Sequence, residues 1–219
     1  MSTTTSHRPV ASRPAVPGGL AAAVLGATAL AASNVCFAIL TADGAARDTA
    51  DYLRLVQGRP LLVEVGAALG LLACLFLVPA VWAVVGRIDE GRARLASVGG
   101  WLMSSGYVMG VALSVETLLA LSVSASDLSP AGFVDAVDHR TTAVATGMYA
   151  VFGIGALLGG LVLGVAMLRD RDVPRWCGVA LVASEPVRVA GLLSGVHGLT
   201  AVASLLILTS FVAVLRPRP

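Results

Sequence analysis

The chain has 219 residues, 57% of them hydrophobic and only 13% charged, whereas a soluble domain carries about 25% charge. So few ionised groups cannot cover a soluble protein of this size, so much of its surface is expected to face lipid. The formal net charge of +2 is too small for a nucleic-acid partner, and that class is excluded.

Residues 1–17 are rich in Ser, Thr, Pro and Arg without apolar periodicity. Nothing in them repays the entropy of ordering, and they read as a disordered tail. Beyond them, a hydrocarbon layer of about 30 Å takes about 20 apolar residues in a helix, because lipid offers no partner to stray backbone groups. Six segments qualify: Gly19 to Leu40, Leu61 to Val85, Leu95 to Val123, Thr142 to Leu168, Trp176 to Gly195, and Gly198 to Leu215. The expected fold is all-α, a polytopic membrane bundle of six transmembrane helices over residues 18–219. The fifth segment holds Glu185, Pro186 and Arg188, and without it the count is five.

All 15 basic residues are arginine. With the richness in Ala, Val and Leu, this suggests a high-GC bacterial genome and places the chain in a bacterial cytoplasmic membrane. Cytoplasmic loops near spans collect basic residues. With the N-terminus inside, ten arginines fall on the cytoplasmic side: Arg8, Arg13, Arg87, Arg92, Arg94, Arg169, Arg171, Arg175, Arg216 and Arg218. Arg47, Arg54, Arg59 and Arg140 are outside, and Arg188 is within the fifth helix. Both termini are therefore expected in the cytoplasm. A rival reading makes the first span a leader cleaved near Ala29 to Ala32, but the apolar stretch runs on through Leu40, longer than a leader core.

Two outer loops carry helical signals. Leu53 and Val56 recur at helical spacing beside Asp48, Asp51 and Arg54, and Ser129 followed by Pro130 is an N-cap and first turn for residues 130–138. Glycines four apart, at Gly66/Gly70, Gly106/Gly110, Gly155/Gly159, Gly160/Gly164 and Gly191/Gly195, predict close helix packing and also offer faces for a homo-oligomer. Cys36, Cys74 and Cys177 have neither paired spacing nor a histidine set beside them and read as small hydrophobes. No phosphate loop, dinucleotide fingerprint, nucleophile elbow or zinc-protease motif is present, and neither cofactor nor metal is expected.

An ionisable group in hydrocarbon needs a partner, a watery cavity or a role. The topology gathers Asn34, Glu64, Glu116, Glu185 and Arg188 into the outer half of the bilayer, with Thr146 and Tyr149 nearby. Glu185 and Arg188, three apart, share a helix face, and Arg188 is expected to pair with Glu185 or with Glu116, which sits at similar depth. Pro186 frees the carbonyl of Val182, and Pro79 that of Leu75. His139 and His197 fall on the same side as Glu64, but two isolated histidines read as interfacial polar groups rather than metal ligands.

The end of the fourth helix at Gly164 and Leu168, a short charged turn, and Val173-Pro174-Arg175-Trp176-Cys177-Gly178 form a pattern. It resembles that of a large group of uncharacterised bacterial multi-pass membrane proteins of about this length. The likeness extends over roughly residues 20–195 and is concentrated at 164–178. It implies a helical bundle in the cytoplasmic membrane and supplies neither activity nor catalytic residues, and the sixth span directly after Gly195 departs from the pattern.

Three functional classes follow. The polar set forms an outward-opening pocket that binds or transports a small or amphipathic ligand from water or from the lipid bilayer. Alternatively, a carboxylic acid, Glu116 first, serves a membrane-embedded enzyme acting on a lipid or prenyl substrate. In the third class the chain is a structural subunit of a membrane complex and the charges pair only to make burial tolerable.

Overall fold

A computed structural model describes residues 17–42, 44, 46, 48–125, 130–139, 143–196 and 198–217. Residues 1–16 of the expected tail, the Ser129 cap, Arg140 and His197 lie outside the described residues. The elements are α1 (Gly19–Leu40), α2 (Thr49–Gly58), α3 (Pro60–Val85), a 3-10 turn (Glu90–Arg92), α4 (Ala93–Ser124), α5 (Pro130–His139), α6 (Ala143–Arg169), α7 (Arg175–Ser194) and α8 (Gly198–Leu215). Among the described residues there is no strand. Six helices, α1, α3, α4, α6, α7 and α8, are long and apolar enough to cross a membrane, and the architecture is that of a multi-pass membrane bundle. The segment holding Glu185, Pro186 and Arg188 is a single helix, α7.

Local signals account for the boundaries. Asp48 caps α2 by accepting from the Asp51 amide, and Leu53 and Val56 form its buried side. Pro60 opens α3 where an amide would lack a partner anyway. Gly195 ends α7 at φ 69°, in the left-handed region that a Cβ disfavours, and α8 begins at Gly198.

The six long helices form a closed ring. Each packs on its neighbours in sequence, α8 returns against α1, and α3 also touches α8 across the bundle. The interior mixes alanines and glycines with larger side chains such as Leu77, Met103, Tyr107 and Phe211, while other large side chains point outward: Trp101, Leu61, Val144 and Leu193 are 65%, 71%, 72% and 85% exposed. Acyl chains solvate that surface as readily as other leucines would. Trp82 and Trp101 make an edge-to-face pair, ring centroids 5.8 Å apart, on the exterior.

Glycines set the spacing of the helices. A Cβ at Gly159 of α6 would lie 2.2 Å from the Met103 amide nitrogen of α4, and one at Gly106 would lie 2.4 Å from that of Ala156. Gly26 likewise admits Leu77 of α3, Gly164 and Gly178 join α6 to α7, and Gly191 receives Leu199 and Thr200 of α8. Of these, Gly106, Gly159, Gly164 and Gly191 belong to the expected pairs and make contacts inside one chain, whereas Gly26 and Gly178 are not among those pairs. Gly195, the partner expected for Gly191, terminates a helix instead, and nothing lies within 4 Å of a Cβ there.

The two ends differ. One carries Arg87, Arg92, Arg94, Arg169, Arg171, Arg175 and Arg216. There the buried Asp170 carboxylate accepts from the amides of Asp89 (2.7 Å), Asp172 (2.7 Å) and Val173 (3.2 Å), tying two connections together. The opposite end carries α2 and α5 over the last turns of α4. At 32 residues and about 1.5 Å per residue, α4 outruns the roughly 30 Å hydrocarbon layer. Its projecting turns give α2 a seat, with Tyr52 and Thr117 oxygens 3.5 Å apart and the Gln57 amide donating to the Ser124 carbonyl.

Candidate functional site

Three helices turn stripes of mostly small or polar residues, with Leu30 and Phe37 among them, toward the ring interior. On α4 the stripe is Tyr107, Gly110, Ser114 and Thr117; on α1 it is Leu30, Ser33, Asn34 and Phe37; on α3 it is Ala67, Gly70 and Cys74. Steps of three and four keep each stripe on one helix face. Together with Phe152 of α6 and Arg188 of α7, they enclose a cavity of about 170 Å³. A wider recess of about 600 Å³ lies beneath α2 and α5, with Asp48, Tyr52 and Glu116 among its lining residues. Phe37, Leu113 and Thr117 line both spaces, so that a throat between the two would run past these side chains.

Arg188 is the charged group of the inner cavity. Its Nε lies 3.8 Å from Oε2 of Glu185, whose side chain is only 1% exposed. That separation is well beyond the roughly 2.7–2.9 Å of a charge-assisted hydrogen bond. Glu185 is wedged against α6, where Gly160 makes room for it: a Cβ there would sit 2.3 Å from Oε1. Oε1 also receives the Ser184 hydroxyl at 3.3 Å.

Among the described residues four buried side-chain atoms lack a hydrogen-bond partner: Ser104 Oγ and Glu185 Oε2, whose residues do not line the cavity, and two donors whose residues do. The Tyr107 hydroxyl and Nη2 of Arg188 are buried and have no hydrogen-bond partner among the described residues. The two side chains are each other's electrostatic neighbours, and both belong to residues lining the same cavity. Asn34, by contrast, is engaged: its amide donates to Ser204 Oγ at 2.9 Å and to the Thr200 carbonyl at 3.3 Å, binding α1 to α8. Ser33 donates to the Gly66 carbonyl at 2.8 Å, binding α1 to α3.

The five residues expected to cluster are therefore distributed over several places. Asn34 and Arg188 line the inner cavity, and Glu185 supports it from the α6–α7 contact. Glu116 lines the wider recess and accepts a hydrogen bond from Tyr149 of α6. Glu64 is exposed near the start of α3, about 60° to one side of Ala67 on the α3 stripe. Of the two partners considered for Arg188, the structure gives it Glu185. The Pro186 ring is exposed, while Val182, whose carbonyl it frees, packs against Gly164 of α6. Thr146 is exposed as well.

Tyr107 and Ser114 were missed in the sequence, although the spacing of Tyr107, Gly110, Ser114 and Thr117 carries the signal. At the recess, burial pushes the Tyr52 phenol above its ordinary pKa; the Thr117 hydroxyl pulls it back and the Glu116 carboxylate raises it further. Compared with protein-family models, curated proteins and solved structures, the chain has no match, and the resemblance at residues 164–178 gains no second support.

Proposed function

We propose that this is a multi-pass protein of the bacterial cytoplasmic membrane, both termini cytoplasmic, that binds or transports a small or amphipathic ligand. The site is the polar cavity, placed in the outer half of the bilayer with α2 and α5 at the outer face. One observation carries the reading: two buried donors, Tyr107 and Arg188, stand without partners on a cavity that shares lining residues with a recess at the end opposite the arginines. An unmet buried donor costs about 1–3 kcal/mol, more when charged, so a bound acceptor group compensates what the fold leaves unmet. The excess of arginine at the other end supports the orientation.

The test is access from outside. In a variant with Cys36, Cys74 and Cys177 replaced by Ala, Ser114→Cys in the cavity is expected to react in intact cells with a membrane-impermeant trimethylammonium methanethiosulfonate. Ala73→Cys, packed in the core between helices, serves as the comparison. Equal rates at the two positions would refute an outward-connected cavity.

A further inference from the structure

The inner cavity, at about 170 Å³, is smaller than the roughly 300 Å³ at which pockets for whole drug-sized ligands begin. It accommodates a headgroup, and anything longer must extend out of it. There are two candidate exits. The first runs past Phe37, Leu113 and Thr117 to the wider recess, whose charged lining residues are Asp48 and Glu116, both acidic.

The second is lateral, between α6 and α7. These helices touch where Gly160 meets Glu185, where Gly164 meets Val182, and where Gly178 meets Leu168. Continuing that antiparallel register sets Gly153 opposite Leu192. Yet a methyl at Gly153 would meet nothing within 4 Å, and Leu192 and Leu193 are 60% and 85% exposed. Meanwhile α6 is held to α4 by Tyr149 and Glu116, and α7 to α8 at Gly191. The pair therefore opens into a cleft beyond Glu185, and the cavity lining on its two sides is Phe152 and Arg188.

The unmet groups select the headgroup. Arg188 and Tyr107 both donate, and the guanidinium is only loosely balanced by Glu185 at 3.8 Å. Two donors on the lining of one poorly solvated space, one of them a guanidinium whose carboxylate partner stands 3.8 Å away outside the lining, fit an anionic oxygen, a phosphate or carboxylate. An anion coming by the recess would pass two carboxylates, while one coming by the cleft would pass apolar walls that suit a hydrocarbon chain. Resting on the cavity reading above, we infer that the ligand is an anionic single-headgroup amphiphile taken laterally from the membrane between α6 and α7, its acid held by Arg188 and Tyr107 and its chain lying in the cleft.

The whole protein in detergent, probed with dodecyl phosphate and read by native mass spectrometry, tests this. The wild type is expected to retain dodecyl phosphate but not dodecyltrimethylammonium, and millimolar inorganic phosphate should not displace it. Losing a charge-assisted hydrogen bond should weaken retention about tenfold or more in Arg188→Gln. Tyr107→Phe preserves volume and should weaken it severalfold, which keeps the test open if Arg188→Gln fails to fold. Gly153→Trp, which fills the cleft where no atom is near, should slow uptake of the amphiphile. Displacement by inorganic phosphate, or uptake untouched by Gly153→Trp, would overturn the lateral route in favour of an aqueous acid. Retention unchanged in both Arg188→Gln and Tyr107→Phe would place the acid elsewhere and overturn the assignment. Because Ser114→Cys labelling reads the cavity itself, it separates failure of this inference from failure of the reading beneath it.

Discussion

Replacing Gly159 by alanine isolates what holds α4 to α6. The new Cβ would lie 2.2 Å from the Met103 amide nitrogen, 2.6 Å from its Cα and 2.7 Å from its Cβ. Two of these atoms are backbone, so no rotamer change relieves the contact and the helices must separate by about 1 Å. Such a gap forfeits a quarter to a half of the roughly 0.1–0.2 kcal/mol at each atom pair, and a buried side chain makes about 40–60 such pairs. The loss is about 2 kcal/mol, within the usual overpacking range of about 1–3 kcal/mol. Alanine also gains up to about 1 kcal/mol of helix propensity, and the same gain attends Gly153→Ala on the same helix, where a Cβ meets nothing within 4 Å. The difference between the two variants therefore reports packing alone, and about 2 kcal/mol is roughly a 25-fold change in the unfolding equilibrium. Titrating the purified protein with dodecyl sulfate in mixed micelles, followed by circular dichroism, should place Gly159→Ala at a clearly lower midpoint than Gly153→Ala. Coincident midpoints would refute the close α4–α6 approach.

Two further substitutions address the polar interior. Asp170→Asn removes the charge that receives three amides at the arginine-rich end, and a cost of about 1.5–3 kcal/mol should appear in the same titration, with faster tryptic cleavage at Arg87 to Arg94; unchanged cleavage would argue against the tie. Glu185→Gln and Arg188→Gln each leave a buried charge uncompensated, a change that costs about 3–5 kcal/mol. The double variant should be much milder than the two losses combined, whereas strict additivity in a double-mutant cycle would show that the pair does not interact.

The spans are readable because bilayer thickness imposes a length that few other structures demand. Gly19, Leu40, Gly198 and Leu215 are termini both of apolar runs and of helices. α7 is less obvious: its Glu185 and Arg188 interrupt the apolar run, and the carboxylate is accommodated where Gly160 yields space across the interface, with Arg188 3.8 Å away. The capped, amphipathic α2 is legible for the ordinary reason that water touches one side of it.

Depth can be counted along a helix, but rotation about its axis has to be inferred from contrast, and a span that is apolar all round offers little. Ranking the acidic groups by depth alone put Glu64 and Glu116 into the same pocket as Arg188. Successive helical residues turn by about 100°, so Glu116 stands about 200° from Ser114 on the cavity stripe, while Glu64, about 60° to one side of Ala67 on the α3 stripe, is exposed near the start of its helix. The small residues, rather than the charged ones, mark the inward face, because only they permit the close backbone approaches seen at Gly26, Gly106 and Gly159. Glu185 and Arg188 pass the same criterion, Glu185 lying seven residues after the packed Gly178 and Arg188 three before the packed Gly191. A charge on the small-residue stripe must be accommodated by the protein, and a charge opposite it can reach lipid headgroups or water. That distinction moves the chemistry of this bundle from its most conspicuous carboxylate, Glu116, to Arg188 and the phenol of Tyr107.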